Sequence, residues 1–284
     1  MIAWRPDRRE FLRFGGAALV ACRFGGRGEQ AGAGRLDRIG IQLYTVRREF
    51  ARDPEATLAR VARIGFTEVE TVSYPPGTAE EIRRMLERHG LRIPSSHVGL
   101  RAADADWERT LELAAALGQR YVVVAGVAQN ERQTVDDWKR IAARFNAAGE
   151  AARKHGLTFC YHNHDFEFVP IDGQVPYDLL LAETDPGLVK LELDLYWITK
   201  GGKDPLDYFA KWPGRFPLVH VKDMEAGPAR AFADLGTGTI DFPRIFRRSG
   251  PAGIAHYFYE QDRTPDDPFA SAEASYRYLR ALRF

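Results

Sequence analysis

The sequence predicts a single (β/α)₈ barrel of the TIM type, running from residue 35 to the C-terminus. Three observations carry that prediction. Short β-rich apolar runs alternate with amphipathic helical stretches eight times. Glycines recur between a helix and the next strand, at Gly65, Gly90, Gly118, Gly156 and Gly253. No linker or low-complexity segment divides the region. Strict alternation implies a parallel sheet, because each helical crossover returns the chain to the same edge, and eight such units close into a barrel.

In order, the strands are expected at 39–44, 67–70, 92–98, 121–125, 158–163, 189–194, 218–221 and 256–260, each short and rich in β-branched or aromatic residues. The helices are expected at 54–64, 79–89, 106–117, 134–155, 177–183, 205–211, 242–249 and 268–282. Asp53 before Pro54 reads as an N-cap with proline at the first helical position, and Gly90, Gly118 and Gly156 read as helix stops. A doubly wound sheet is the competing fold. It would normally carry a glycine fingerprint after its first strand, where this chain has Leu43-Tyr44-Thr45-Val46-Arg47.

Residues 1–34 read as an export leader. Asp7-Arg8-Arg9-Glu10-Phe11-Leu12 precedes the weakly apolar run from Phe14 to Ala21, the pattern of a twin-arginine signal, which implies a periplasmic or other extracytoplasmic location. Leu19-Val20-Ala21-Cys22 also fits a lipoprotein processing box, so a lipid anchor at Cys22 stands as an alternative. The whole chain carries a net charge of +1. The leader holds six arginines against three carboxylates, so its removal takes the remainder to −2. That balance argues against a nucleic-acid partner. With Cys22 gone only Cys160 remains, so no internal disulfide is expected.

A barrel of this class holds its active site at the C-terminal ends of the strands. Those ends carry Glu70, Ser95-Ser96-His97, the run His162 to Glu167, Glu192 and Asp194, His220 with Lys222 and Asp223, and Glu260 to Asp262. Unpaired carboxylates and imidazoles gathered in a barrel mouth call for a cation. Glu167, Asp194, His220 and Glu260 are the expected ligands. This mostly oxygen set favours Mn²⁺, with Mg²⁺, Co²⁺ or Zn²⁺ as alternatives. Each also has a plainer reading: Glu167 as a loop cap, Asp194 as the cap of a following helix, His220 as a core histidine and Glu260 as a partner of Arg263. His97, His164, Lys222 and Trp197 are expected to contact substrate, Asn163 to bridge strands, and Asp223 to hold a neighbouring loop. The Gly236–Asp241 stretch lies where barrels often bind phosphate, but it has no basic residue before Arg244.

Tyr161-His162-Asn163-His164-Asp165-Phe166-Glu167-Phe168, Leu191-Glu192-Leu193-Asp194-Leu195-Tyr196-Trp197, Val219-His220-Val221-Lys222-Asp223 and Tyr259-Glu260-Gln261-Asp262 resemble the sugar phosphate isomerase/epimerase superfamily, the xylose isomerase-like barrels. The resemblance implies a metal quartet on strands five to eight that falls on Glu167, Asp194, His220 and Glu260. Some relatives carry the first ligand earlier on strand five. In that register His162 takes the place of Glu167, and Glu167 contacts substrate.

The expected activity is metal-dependent isomerisation or epimerisation of a sugar, keto-sugar or polyol, with Glu167 and Glu260 moving a proton beside a carbonyl. Loss of a β-substituent from the same intermediate, as in a dehydratase acting on an inosose or a 3-keto-glycoside, is the alternative. A barrel that binds carbohydrate without turning it over is the third reading.

Overall fold

The computed structural model describes residues 34–72, 74–99, 106–264 and 267–284. The leader, with Cys22, lies outside them except for Gly34, whose backbone pairs with that of Phe284. Eight parallel strands close into one barrel: β1 (Gly40–Gln42), β2 (Glu68–Thr71), β3 (Arg92–Val98), β4 (Tyr121–Val124), β5 (Thr158–His162), β6 (Val189–Asp194), β7 (Leu218–Val221) and β8 (His256–Tyr259). Each pairs in register with its sequence neighbours, and β1 closes the ring on β8; the β2–β3 register shifts between Glu68 and Glu70.

The helices pack outside. Asp53 caps the helix Pro54–Ile64 through the Ala56 N–H, and Thr78 and Thr134 close capping boxes on Ala79–Arg88 and Val135–Lys154. Two short helices, Arg47–Arg52 and Leu195–Lys200, add to those the sequence predicts. A small hairpin, Asp223–Met224 against Phe232–Ala233, follows β7.

Alternation along the strands sorts the interior into layers. At the N-terminal end, His256 Nδ1 meets Glu68 Oε2 at 2.7 Å. Above lies an apolar plug of Tyr121, Val123, Cys160, Leu218 and Phe258. Glycine is required at Gly40, because a Cβ there would lie 2.5 Å from the Phe258 ring. Apart from Ala125 after β4, the next inward positions are polar: Gln42, Glu70, His97, His162, Glu192 and His220, with Asp194, Lys222 and Glu260 at the rim. The larger core, between barrel and helices, holds the outward residues of the same strands, among them Phe159, Tyr161, Leu191 and Val219.

Candidate metal centre and active site

The polar layer is one connected cluster. His220 is fully buried, with Nδ1 2.7 Å from Glu260 Oε2 and Nε2 2.7 Å from Glu70 Oε2 and 3.2 Å from Glu192 Oε2. His97 Nε2 lies 2.7 Å from Glu192 Oε2 and 3.0 Å from Glu70 Oε2. His162 Nδ1 sits 3.1 Å from Glu192 Oε2, and its Nε2 faces Asp194 Oδ2 at 3.8 Å. The Gln42 side-chain amide donates to Glu70 at 2.8 Å. At the rim, Lys222 Nζ lies 2.6 Å from Glu260 Oε2, 3.0 Å from Asp194 Oδ2 and 3.0 Å from Asp262 Oδ1.

These contacts set the charges. Burial alone would push the carboxyls of Glu70 and Glu260 up, but His97 and His220 at Glu70, and Lys222 and His220 at Glu260, hold both well below the carboxylate range. Glu192 is held at about 2 against burial and against Glu70, by His220 and His97. Burial wins at Asp194, which rises to about 6 despite Lys222. Burial also opposes charge on His97 and His220. Glu70 and Glu192 nonetheless raise His97 to about 10, while Glu192 and Glu260 hold His220 well above the imidazole range. His162 goes the other way, because burial and the neighbouring His220 leave its ring neutral.

Among the described residues, two groups of side chains could close on an ion, with ligand atoms within 4.8 Å of one another: His97, His162, Glu192 and His220, and Asp194, His220 and Glu260. Two buried carboxylate oxygens of the cluster, Glu70 Oε1 and Glu192 Oε1, make no hydrogen bond, and Asp194 Oδ2 has only the Lys222 ammonium beside it. So many carboxylates out of water, with oxygens to spare, fit a bound divalent cation. One ring nitrogen of each key imidazole is already oriented, that of His162 by Glu192 and that of His220 by Glu70, while the other faces Asp194 or Glu260. A carboxylate behind an imidazole is how proteins aim a metal-binding histidine.

Asp194, His220 and Glu260 are thus brought together as the sequence reading expects. Asp194 also performs its plainer role, since Oδ1 caps the helix Leu195–Lys200 through the Trp197 N–H while Oδ2 stays with the cluster. Glu167 needs correction as the strand-five ligand. It belongs to neither group of ligand atoms: its carboxylate accepts from the Tyr161 hydroxyl at 2.5 Å and the His164 N–H at 2.9 Å. Tyr161 points outward into the core between barrel and helices, next to Phe145, and the turn Phe166–Phe168 folds Glu167 back onto that side. The inward residue of β5 is His162.

Burial raises the Glu167 carboxyl from 4.5 to about 7, against the Tyr161 hydroxyl and the backbone N–H donors. A folded-state value above the unfolded one means that this residue supports the fold best at acid pH. Its contribution declines as pH rises from 4.5 through about 7. Glu167→Gln should remove that slope. By urea unfolding the variant should be less stable than wild type by about 1–3 kcal/mol at pH 5, with a smaller gap at pH 8, and its metal stoichiometry should be unchanged. Loss of metal in this variant would return Glu167 to the ligand set.

Above the cluster opens a cavity of about 1120 Å³, whose lining includes His97, His162, His164, Trp197, Lys222 and Glu260. The four residues expected to meet substrate therefore all reach it. Trp197 stands 5.4 Å from the His164 ring and 5.7 Å from Phe232, so the hairpin after β7 completes an aromatic wall. His164 Nδ1 and Trp197 Nε1 are buried without hydrogen-bond partners. Asn163 accepts from the Asp194 N–H and ties β5 to β6. Asp223 accepts from the N–H groups of Gly236, Gly238 and Ile240, so the glycine-rich loop spends these three donors on a carboxylate of this chain. Glu70, Asp262 and Gln42 join the site without having been singled out as site residues. The inward parity of Gln42 and Glu70 at their strand ends was the available signal.

The comparisons agree with this fold. The chain is 25% identical over 265 residues to the inosose dehydratase of Geobacillus thermodenitrificans, covering 80% of this chain and 88% of that protein. A crystal structure of a sugar phosphate isomerase/epimerase from Parabacteroides distasonis superposes with a TM-score of 0.76 at 30% identity, covering 89% of this chain and 96% of that one. An L-ribulose 3-epimerase shares the fold with a TM-score of 0.67 at 20% identity, over 86% of this chain and 93% of its own. A profile of the xylose isomerase-like TIM barrels matches residues 58–282, and the chain belongs to that family.

Proposed function

We propose that this protein is a metal-dependent lyase that removes water from a small keto-polyol, a keto-cyclitol or keto-sugar, by taking a proton beside the carbonyl. The observation that carries this reading is the ring of buried imidazoles and carboxylates from six strands, open on one side to a cavity walled by aromatic rings. His162, Asp194, His220 and Glu260, one from each of four successive strands, would hold a divalent ion, which supplies Lewis-acid polarisation of the substrate carbonyl.

The remaining work falls to side chains of the cavity. Trp197 and Phe232 offer apolar faces to the carbon skeleton. His164 lines the cavity outside the ion-paired cluster, and burial keeps its imidazole neutral by lowering its pKa to about 4; it accepts the proton from the carbon next to the carbonyl. The Lys222 ammonium, within reach of the same space, gives a proton to the departing hydroxyl. The C–H and C–O bonds break, a C=C bond forms, and water leaves.

Elimination is favoured over epimerisation by the position of Glu167. Epimerisation with two carboxylate bases needs a partner for Glu260 across the substrate, and the residue expected there hydrogen-bonds Tyr161 instead. The inosose dehydratases among the relatives support the same choice.

The test is incubation of the metal-loaded protein with inososes and 3-keto-glycosides in D₂O, followed by NMR. The expected product is the dehydrated enone from an inosose, or the enone with release of the aglycone alcohol from a 3-keto-glycoside, with turnover abolished by chelator. Deuterium entering a recovered epimer that keeps all its hydroxyls would make the protein an epimerase. Sugar binding without turnover, indifferent to chelator, would make it a binding protein.

A further inference from the structure

A second pocket lies at the other end of the barrel, where the strands begin. It encloses about 300 Å³, near the lower limit of the roughly 300–1,000 Å³ of ordinary small-molecule sites. Its walls come from several strand starts: Arg38 precedes β1, Glu68 opens β2, Arg92 opens β3, Arg120 precedes β4 and His256 opens β8. Arg83 and Glu87 of the helix Ala79–Arg88 close one side, and Leu86, Leu91, Ile93 and Leu117 give it an apolar lining.

The charges in this pocket do not balance. Four arginines line it against two glutamates. Glu68, nearly fully buried, is committed to His256 at 2.7 Å and stands 4.0 Å from Arg38. Glu87 is taken by Arg83 at 3.5 Å. Among the described residues neither Arg92 nor Arg120 has a carboxylate partner, although Glu68 is paired with Arg92 in the sheet ladder. Their backbones are fixed, because the Arg92 N–H donates to Thr67, the Arg120 N–H donates to Pro94, and Thr158 donates to the Arg120 carbonyl. Two uncommitted guanidiniums are thus rooted on adjacent strands beside a buried His–Glu pair and an apolar floor. Guanidinium groups with free donors recognise oxyanions.

We propose that this pocket binds a small molecule carrying one oxyanion group on an apolar body, with Arg92 and Arg120 holding the oxyanion and Leu86, Ile93 and Leu117 the body. The site is independent of the metal cluster, which lies beyond the apolar plug at the opposite strand ends.

Isothermal titration of the full chain at physiological salt tests it, with three probes: phenyl phosphate, inorganic phosphate and benzyl alcohol. Phenyl phosphate should bind saturably, inorganic phosphate at least tenfold more weakly, and benzyl alcohol not at all. Arg92→Gln/Arg120→Gln, at exposed positions where folding is not at risk, should weaken phenyl phosphate at least tenfold, whereas Arg47→Gln/Arg263→Gln in the mouth cavity should leave it unchanged. The proposal is overturned if no probe saturates, if the Arg92/Arg120 variant binds like wild type, or if binding follows the mouth arginines. Equal binding of inorganic phosphate and phenyl phosphate would remove the apolar body from the ligand and overturn that half of the assignment.

Discussion

Replacing His220 with alanine is expected to lower the affinity for a divalent ion at least 100-fold, roughly, and to cost the metal-free protein about 3–5 kcal/mol of stability. The imidazole is the hub of the cluster, with Glu260 on one nitrogen and both Glu70 and Glu192 on the other. Its removal leaves three buried carboxylates facing a void, with His97 still beside Glu70 and Glu192 but no donor at Glu260 from below. A buried charge that loses its partner costs far more than a surface ion pair is worth. For a chain of this size a loss of that order lowers the melting temperature by roughly 10 °C. Metal analysis after dialysis and a thermal scan read the two effects separately. A His220→Ala protein that retained its metal at wild-type occupancy would dissolve the proposed centre, and one that melted at the wild-type temperature would dissolve the charge argument.

Much of this was readable from the chain itself, for a physical reason. Residues on a short parallel strand alternate strictly between the barrel interior and the helices. Once the eight strands are placed, Glu192 with Asp194, and His220 with Lys222, must share a side. The strand limits 92–98, 189–194 and 218–221 and the helix limits 54–64 and 205–211 coincide with Arg92–Val98, Val189–Asp194, Leu218–Val221, Pro54–Ile64 and Pro205–Lys211. Parity carries a residue past a strand's end, as at Lys222 after β7, but Glu167 lies five residues past the end of β5. Its side of the sheet is decided by a tertiary contact with Tyr161 that no local pattern announces. The helix Leu195–Lys200 escapes for a related reason. Its Leu-Tyr-Trp-Ile-Thr run has the composition of a strand, and only the Asp194 cap turns it. Glu70 reaches His220 across 150 residues of sequence, a contact that exists only because the barrel closes.

Lys222→Met should move metal affinity the other way, and that opposition makes the pair of variants decisive. The Lys222 ammonium lies within 3.0 Å of Asp194, Glu260 and Asp262. Burial works against its charge, yet those three carboxylates hold its pKa well above the usual lysine value. It is therefore a built-in cation occupying the oxygens of Asp194 and Glu260 that an ion would use. Methionine fills similar space without charge. In metal-free protein it should cost about 3–5 kcal/mol, because the carboxylates lose their partner. With the ammonium gone, Asp194 and Glu260 are free to close on a divalent ion, whose affinity should rise roughly tenfold or more, a gain of at least about 1.4 kcal/mol. Added metal should then restore most of the lost thermal stability, since a ligand that binds only the folded state stabilises it by mass action. Activity should nevertheless fall by about 10²–10⁴, chiefly in kcat, because the proposed proton donor to the departing hydroxyl has been removed. Competition titration with a chromophoric chelator, melting curves with and without metal, and steady-state kinetics separate the three effects. Weaker metal binding by Lys222→Met would mean that the ammonium supports the ion rather than competing with it. Unchanged kcat in a metal-loaded variant would remove Lys222 from the chemistry altogether.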